Sequence, residues 1–460
     1  MRGPSSSRFG GWRRNLLEFF LDPIGVMTAL RGDYGTIVPL TENCSRWLFA
    51  FGAENNRKIL TNAQLFRTDT LPVAVPIDSP VGRLKRSFAF SDGHEHKRQR
   101  GHVTPAFHRE HMPRYHEIIQ RHTTRFLQSC GRVRWLDVSR AMHDLTFGIA
   151  LEAFLGIDSN STPALGGDLR EWLRILSHPG VVLFPFNLPL TPLRTLQTLT
   201  GRIEAGLRAL IAERSGRAVH TRDLLSLLVL ASQSVGASIS ELEIAPNTLV
   251  VMLAGHESAG NSLAWTLFLL DQHRDVLERV EREVDHVLGS APIAMAHFGQ
   301  LSLLGRVIKE SMRILPPLAY NLRTSTSEFT LGNSSFASGT KIVWSPYITH
   351  REPTVYAEPD RFLPDRWLDL TVPSDTYIPF GLGAHACIGG SFAQLQMTIV
   401  LAELLRAYQF SLASDTRVDR SVQITLRPKR GMPMHVDERG TARRPRWSVY
   451  GDLREMVRFP

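Results

Sequence analysis

One cysteine of the chain lies in a setting suited to metal ligation. Cys387 follows the stretch Pro379-Phe380-Gly381-Leu382-Gly383-Ala384-His385-Ala386 and precedes Ile388-Gly389-Gly390, after which a helical run begins at about Ser391. Glycines on both sides free the backbone for a tight loop. A cysteine at the start of a helix faces the positive end of the helix dipole, which favours the thiolate, and backbone N–H groups can tune such a ligand. The residues predict a thiolate metal ligand rather than a core thiol.

A second candidate is the middle of a long predicted helix. Ser240-Glu241-Leu242-Glu243 matches a capping box, and the all-apolar stretch Leu249–Ala254 is typical of a helix surrounded by protein. Gly255-His256-Glu257-Ser258-Ala259-Gly260 then interrupts it, although each glycine costs about 1 kcal/mol relative to alanine. We predict close approach to the backbone or a distortion of the helix there, and proton handling by Glu257. The alternative is that His256 and Glu257 lie on a solvent-facing stripe.

A third pattern is an acid and a base on one helix face. Glu310 and Arg313 are three positions apart and therefore neighbours on a helix. Alone, the pair has the pattern of an exposed ion pair, which contributes about 0–1 kcal/mol. Pro316-Pro317 ends this helix.

The elements that must position these residues are mostly helical. Segments with helical periodicity dominate the chain: His116–Ser129, Leu193–Glu213, Ser240–Leu270, Arg274–Val287, Leu301–Leu315 and Ser391–Tyr408. Strand-like pieces are short, at Gly35–Leu40, Trp47–Phe51 and Glu328–Trp344. We predict a mainly α fold with small β-sheets and a long central helix.

Composition narrows the functional classes. The 460 residues are 43% hydrophobic, with Lys+Arg 53 against Asp+Glu 44, a net charge of +9, and the basic residues are dispersed without a nucleic-acid-binding motif. Three scattered cysteines (Cys44, Cys130, Cys387) suit a reducing compartment. We find neither a signal peptide nor a spanning segment and expect a cytoplasmic protein. Gly381-x-Gly383-x-x-Ala386 and Ser258-x-Gly260 only imitate a dinucleotide fingerprint and a nucleophile elbow.

Together these motifs resemble the cytochrome P450 family of haem-thiolate monooxygenases, from about Pro23 to Val436. The matching segments occur in the family's order: Ala254–Ser258 as the oxygen-activating pattern, Glu310 with Arg313, Phe362–Trp367, whose Arg366 completes a charge network, and Phe380–Gly389 as the haem loop. His350-Arg351-Glu352-Pro353 resembles a further family segment and is not assigned to haem. The resemblance implies a cytochrome P450 fold in which the central helix lies over a haem. It also implies that Glu310, buried with Arg313 and Arg366, has a structural role behind the cysteine loop rather than a catalytic one.

The resemblance implies haem b as cofactor, with Cys387 as axial iron ligand and Phe380 and Gly381 in the binding loop. The groups that would bond the haem propionates are His96, Arg100, Arg323 and His385. Glu257 and Ser258 would relay protons. Ser258 stands where threonine is usual and Ala259 replaces a second hydroxyl, so the relay would depend more on water.

The resemblance implies that the protein activates O2 to hydroxylate or otherwise oxidise an apolar organic substrate. Its electrons come from a ferredoxin or flavodoxin with its reductase, docked on a basic face to which Lys97, Arg98 and Arg109 would contribute. Neither nucleic acid nor a membrane span is expected. The pocket walls would come from Val75–Ile77, Val181–Phe186, Leu253 with Ala254, and Leu318–Tyr320. The alternative function is a non-catalytic haem-thiolate sensor.

The domain organisation follows from the same match. Residues 1–22 form an N-terminal extension, 23–436 a single haem-binding domain, and 437–460 a basic C-terminal tail with no family counterpart.

Overall fold

The computed structural model of the chain describes residues 2–5, 11–42, 46–68, 75–158, 163–176, 178, 180–183, 185–215, 223–233 and 239–460. Cys44 lies outside the described residues, as does position 184 in the Val181–Phe186 wall.

Helices make up most of the described chain, as predicted. They are α1 (Gly11–Leu21), α2 (Pro23–Tyr34), α3 (Ala53–Thr61), α4 (Pro80–Arg83), α5 (Gly93–Val103), α6 (Met112–Cys130), α7 (Val138–Ala150), α8 (Pro163–Leu176), α9 (Gly180–Leu183), α10 (Pro192–Ser215), α11 (Leu224–Gln233), α12 (Glu241–Gln272), α13 (Arg274–Leu288), α14 (Ser302–Ile314), α15 (Pro346–Thr349), α16 (Arg366–Asp369) and α17 (Gly390–Ala407).

The strands are short and form small sheets. They are β1 (Ile37–Pro39), β2 (Trp47–Ala50), β3 (Phe66–Arg67), β4 (Trp135–Asp137), β5 (Asn321–Ser325), β6 (Phe329–Leu331), β7 (Ser334–Phe336), β8 (Lys341–Trp344), β9 (Tyr408–Leu412), β10 (Arg420–Val422), β11 (Leu426–Pro428) and β12 (Pro433–Glu438). The largest sheet has the order β1-β2-β8-β5-β3, in which β2 and β8 are parallel. A second has the order β4-β12-β9.

The long central helix begins where its cap predicts. α12 starts at Glu241, and the Glu243 carboxylate accepts a hydrogen bond from the Ser240 backbone N–H at 2.8 Å. This bond satisfies a donor that the first helical turn leaves without a partner. The helix runs 32 residues to Gln272, with Pro246 tolerated in its second turn.

The described residues divide into two compact units. Unit 1 comprises Met1–Arg67, Ile119–Leu145 and Ser258–Pro460, and unit 2 comprises Thr68–Ile118 and Thr146–Glu257. All strands described here belong to unit 1, whereas unit 2 is helical. β12 runs across the expected boundary at residue 436, so the start of the tail is part of a sheet. None of the described helices has the length and apolar character needed to cross a bilayer.

Candidate active site

The cysteine loop of unit 1 has the backbone geometry that its glycines predict. Gly381 and Gly383 adopt φ values of +71° and +74°, in the left-handed region that residues with a side chain rarely occupy. The Cys387 N–H donates to the Phe380 carbonyl at 2.7 Å, which closes the loop. The thiol is exposed and lies three residues before α17 begins.

Gly383 also anchors the loop against the end of α3. A Cβ built on Gly383 would come 2.1 Å from the carbonyl oxygen of Leu60, a distance that no side chain could tolerate. Glycine is therefore required here for its backbone conformation and for the close approach together. The loop that presents Cys387 is therefore packed closely against the end of α3.

The donor set of unit 1 fits a haem. The exposed Cys387 thiol offers one soft ligand, which suits an iron whose remaining ligands come with an organic macrocycle. Arg323 on β5 is only 4% exposed, and a buried guanidinium favours a carboxylate partner such as a propionate. His385 lies in a short 3-10 turn, Gly383–His385, of the cysteine loop itself. These residues would hold the iron and a propionate.

Glu310 and Arg313 form a buried network, so the exposed-pair interpretation is wrong. Both side chains are fully buried, and the Arg313 guanidinium donates to both Glu310 oxygens at 2.8 and 2.9 Å. Arg366 completes the network as predicted, with its Nε 3.0 Å from Glu310 Oε1. The Trp367 indole N–H and the Leu363 backbone N–H also donate to this carboxylate. Five hydrogen bonds compensate the buried charge, as such a carboxylate requires.

His350 links this network to the cysteine loop, a role that the sequence did not reveal. The Arg313 guanidinium donates to the His350 carbonyl at 2.9 Å, and the His350 Nδ1–H donates to the Arg313 carbonyl at 3.2 Å. His350 Nε2 accepts from the backbone N–H of Ile378 at 2.9 Å, and the Ile378 carbonyl accepts from Gly381 N–H at 3.1 Å. The only sequence signal was the family-like segment around His350. A continuous hydrogen-bonded path therefore leads from Arg313 to the loop.

This geometry requires a neutral imidazole. Protonation would direct a second N–H at the Ile378 N–H, and burial together with the nearby Arg313 charge lowers the pKa of His350 from 6.5 to about 3. In the unfolded chain the imidazole has its ordinary pKa and binds a proton first as the pH falls. The contribution of His350 to stability is therefore complete above about pH 6.5 and is lost progressively towards about pH 3.

We expect the free energy of unfolding to fall between pH 7.5 and 5.5, with His350 contributing up to about 1.4 kcal/mol per pH unit below 6.5. Urea unfolding at several pH values measures this slope. His350→Gln has no titratable group at this position, so its slope is expected to be shallower by that amount even if its stability is lower throughout. Equal slopes in the two proteins would contradict the neutral imidazole.

In unit 2, the middle of α12 is buried, which excludes the solvent-facing stripe. His256 is 5% and Glu257 8% exposed. His256 is a core histidine, since its Nδ1 lies 3.3 Å from the Met252 carbonyl and its own carbonyl accepts from Thr146 at 2.9 Å. Burial of the Glu257 carboxyl in this helix is consistent with the predicted role in proton handling.

The predicted close approach to Gly255 is made by an aromatic ring. A Cβ on Gly255 would come 2.6 Å from Cε2 of Phe154, which belongs to a π-helical turn, Leu151–Leu155. The glycine thus makes room for Phe154. The neighbouring Leu253 is half-buried and Ala254 exposed, although most of this stretch of α12 is buried. Ser258, the next residue after Glu257, is also half-buried.

The cationic residues of α5 have different environments. His96 and Arg100 are four residues apart and share a helix face, with His96 buried and Arg100 half-buried. Arg98 is not an exposed cation, because it forms ion pairs with Glu95 and Glu243 and thereby lowers the pKa of Glu95 to about 2. The expectation that Arg98 contributes to a basic face is therefore wrong, whereas Lys97 and Arg109 are exposed.

Comparison with known proteins identifies the family. The family model for Cytochrome P450 matches residues 15–433. The chain is a cytochrome P450. Membership brings the haem cofactor and makes the protein a P450 monooxygenase, with a need for O2, an apolar substrate and a redox partner.

Bacterial P450s are among its relatives. Cyclooctatin synthase of Streptomyces melanosporofaciens is 29% identical over 80% of this chain and 82% of its own, and cyclooctat-9-en-7-ol 5-monooxygenase of the same organism is 28% identical over 85% and 84%. A sterol 14alpha-demethylase of Mycolicibacterium vanbaalenii is 26% identical over 87% and 89%. A solved structure described as retinoic acid bound cyanobacterial CYP120A1 superimposes with a TM-score of 0.83 and 22% identity, over 95% of this chain and 99% of that one. This last likeness confirms the P450 fold.

Proposed function

We propose that this P450 uses haem b to insert one oxygen atom of O2 into an apolar organic substrate, with electrons from a separate ferredoxin or flavodoxin. The observation that carries the proposal is the exposed Cys387 thiol on a glycine loop that is tied through His350 to the buried Arg313 network. When bound, the haem supplies the oxidising chemistry, and thiolate ligation favours cleavage of the O–O bond.

The residues of the chain have separate roles in this proposal. Cys387 ligates the iron at Sγ, while Phe380 and Gly381 shape the loop that presents it. Arg323 and His385 of unit 1 would bind a propionate, and His96 and Arg100 of unit 2 are likewise proposed as propionate-binding groups. The Glu310 network has a structural role in this proposal, because it holds the segment behind the loop. A thiolate ligand must remain reduced, which supports a cytoplasmic location.

Glu257 and Ser258 move protons in this proposal. They are consecutive in α12, with Glu257 buried and Ser258 half-buried. A buried carboxyl can take a proton from water, and the hydroxyl can pass one on at Oγ. Since Ala259 offers no second hydroxyl, water completes the path.

We expect Ser258→Ala to raise hydrogen peroxide release relative to product by roughly threefold to tenfold. This is less than the loss typical of a missing general acid, because water can replace one hydroxyl. Peroxide and product are quantified per electron consumed. Ser262→Ala is the matched control, since its hydroxyl donates to the Ser258 carbonyl one turn along the helix at 2.9 Å. If Ser258→Ala retains the original ratio, Ser258 is not a relay member.

The substrate is apolar in this proposal because the expected pocket walls are apolar. Leu253 and Ala254 are the accessible residues of a largely buried stretch of α12, and Val181 is buried. Relatives named for cyclooctat-9-en-7-ol and for a sterol support a terpenoid or steroid. Lys97 and Arg109 suit an acidic electron donor.

Oxygen consumption with a surrogate redox partner tests the activity against the alternative, a non-catalytic sensor. The protein is screened with terpenoids and steroids, and binding is followed in parallel by the shift of the haem spectrum. Substrate-dependent oxygen uptake with an oxygenated product supports the monooxygenase. Substrates that bind without turnover, across several donors, would favour the sensor.

A further inference from the structure

The C-terminal tail, residues 437–460, lies beyond the part of the chain that the family model matches. It is nevertheless described in full and belongs to unit 1. Its arginines make ion pairs and main-chain hydrogen bonds: Arg439 with Asp285 and the Leu405 carbonyl, Arg443 with Glu281, Arg444 with Asp437, and Arg446 with the Gln272 carbonyl. A segment with this many anchors is part of the structure of unit 1.

The last residues of the tail are fixed by apolar contacts. Leu453, Met456 and Val457 are at most 1% exposed. The ring of Phe459 packs edge-on against Phe268 of α12, with the centroids 5.7 Å apart. Burial of side chains of this size stabilises each by about 1.5–3 kcal/mol. The path of the backbone from 453 to 459 is thereby set.

This backbone is bonded to a turn segment, residues 358–361. The Arg458 N–H donates to the Asp360 carbonyl at 2.7 Å. Arg351 joins the same two pieces, since its guanidinium donates to the Met456 carbonyl at 2.9 Å and to the Asp360 carboxylate at 3.2 Å. The tail therefore holds the Asp360 main chain directly and the Asp360 side chain indirectly, through Arg351.

The backbone carbonyl groups on either side of Asp360 accept hydrogen bonds from the buried Arg313 guanidinium. Arg313 donates to the Pro359 carbonyl at 2.8 Å and to the Arg361 carbonyl at 3.0 Å. The segment lies outside the named helices and strands and is paired with the tail only by an isolated parallel β-bridge between Arg361 and Arg458. Glu358 has a φ of +47°, a conformation that costs energy and persists only when neighbours enforce it. Contacts from outside are therefore needed to keep both carbonyls directed at the guanidinium.

We propose that the tail is a brace that positions residues 359–361 against Arg313 and, through His350 and Ile378, positions the Cys387 loop. The hydrogen bonds form a path. Arg458 is bonded to Asp360, the adjacent Pro359 and Arg361 carbonyls accept from Arg313, and Arg313 is linked through His350 to Ile378. Its consequence for iron ligation rests on the proposed function, whereas its consequence for the loop does not. Met456 and Arg458 act as positioning residues through backbone groups.

Arg458→Pro tests the brace because proline has no N–H to donate to Asp360. Arg458→Ala is the matched control, since it keeps the N–H and removes only an exposed side chain. Amide hydrogen exchange is measured by mass spectrometry on the purified haem-loaded proteins. We expect exchange in the peptide 376–382 to be at least roughly tenfold faster in Arg458→Pro than in Arg458→Ala, with the hairpin 329–336 unchanged.

A spectroscopic readout follows the same variants. At equal haem loading, the fraction of the reduced carbon monoxide complex with a thiolate-type band is expected to fall in Arg458→Pro and to remain normal in Arg458→Ala. If Arg458→Pro does not fold, Phe459→Ala replaces it, because this variant loosens the end of the tail but keeps every backbone donor. We then expect a smaller rise in exchange and a smaller fall in the thiolate-type fraction. Equal exchange in the peptide 376–382 for all variants would overturn the brace. The lack of a thiolate-type band in the unsubstituted protein would instead overturn the proposed function.

Discussion

Cys387→Ala is expected to abolish the thiolate-type spectrum of the reduced carbon monoxide complex and to reduce turnover by at least roughly 100-fold. Changes in the groups around a metal's ligands already lower affinity or activity by 10–100-fold, and removal of the ligand itself goes further. Alanine supplies no donor, so any haem that remains is held by its propionates and by apolar contact. Absorption spectra with and without carbon monoxide, at measured haem content, give the result directly.

Cys130→Ala is the control for the cysteine experiment. Cys130 is buried at the end of α6, and burial raises the pKa of its thiol to about 12, so it is protonated at neutral pH. Its removal is expected to leave the spectrum unchanged. A thiolate-type band that survives in Cys387→Ala would show that the ligand is assigned to the wrong residue.

The second large effect is expected for Arg313→Ala, which removes a fully buried cation. Glu310 would remain buried with Arg366, Trp367 and the Leu363 N–H as partners, and three backbone carbonyls would lose a donor. Removal of one partner of a buried ion pair costs about 3–5 kcal/mol. Since domains are stable by only about 5–15 kcal/mol, we expect the yield of haem-loaded, folded protein to fall at least roughly tenfold. The ratio of haem to protein after purification is the measurement.

Arg361→Ala provides the matched comparison. The Arg361 side chain forms an exposed pair with Glu358, whereas its carbonyl, which accepts from Arg313, is kept in the variant. Exposed pairs contribute about 0–1 kcal/mol, so haem loading is expected to stay near that of the unsubstituted protein. An Arg313→Ala protein that is fully loaded but slow would contradict the structural role and would place Arg313 in the chemistry.

The predictions that succeeded from sequence depend on local chemistry. Glycines at 381 and 383 permit the left-handed backbone that the tight loop adopts, and the Ser240–Glu243 pattern caps a helix through groups only three residues apart. Helical periodicity likewise located α10, α12, α13 and α17 within one or two residues. These features depend on residues that are close together in the chain and can therefore be predicted from the sequence.

What the sequence by itself determined is the cysteine loop, the helical fold and the order of motifs that marks a P450. Only the tertiary structure decided that Gly255 makes room for Phe154, that Arg98 is neutralised by Glu243, that His350 connects Arg313 to Ile378, and that the tail holds Asp360. Each of these contacts joins residues far apart in the chain. Periodicity and composition show that a side chain will be buried, but the partner it meets is set by how distant segments pack.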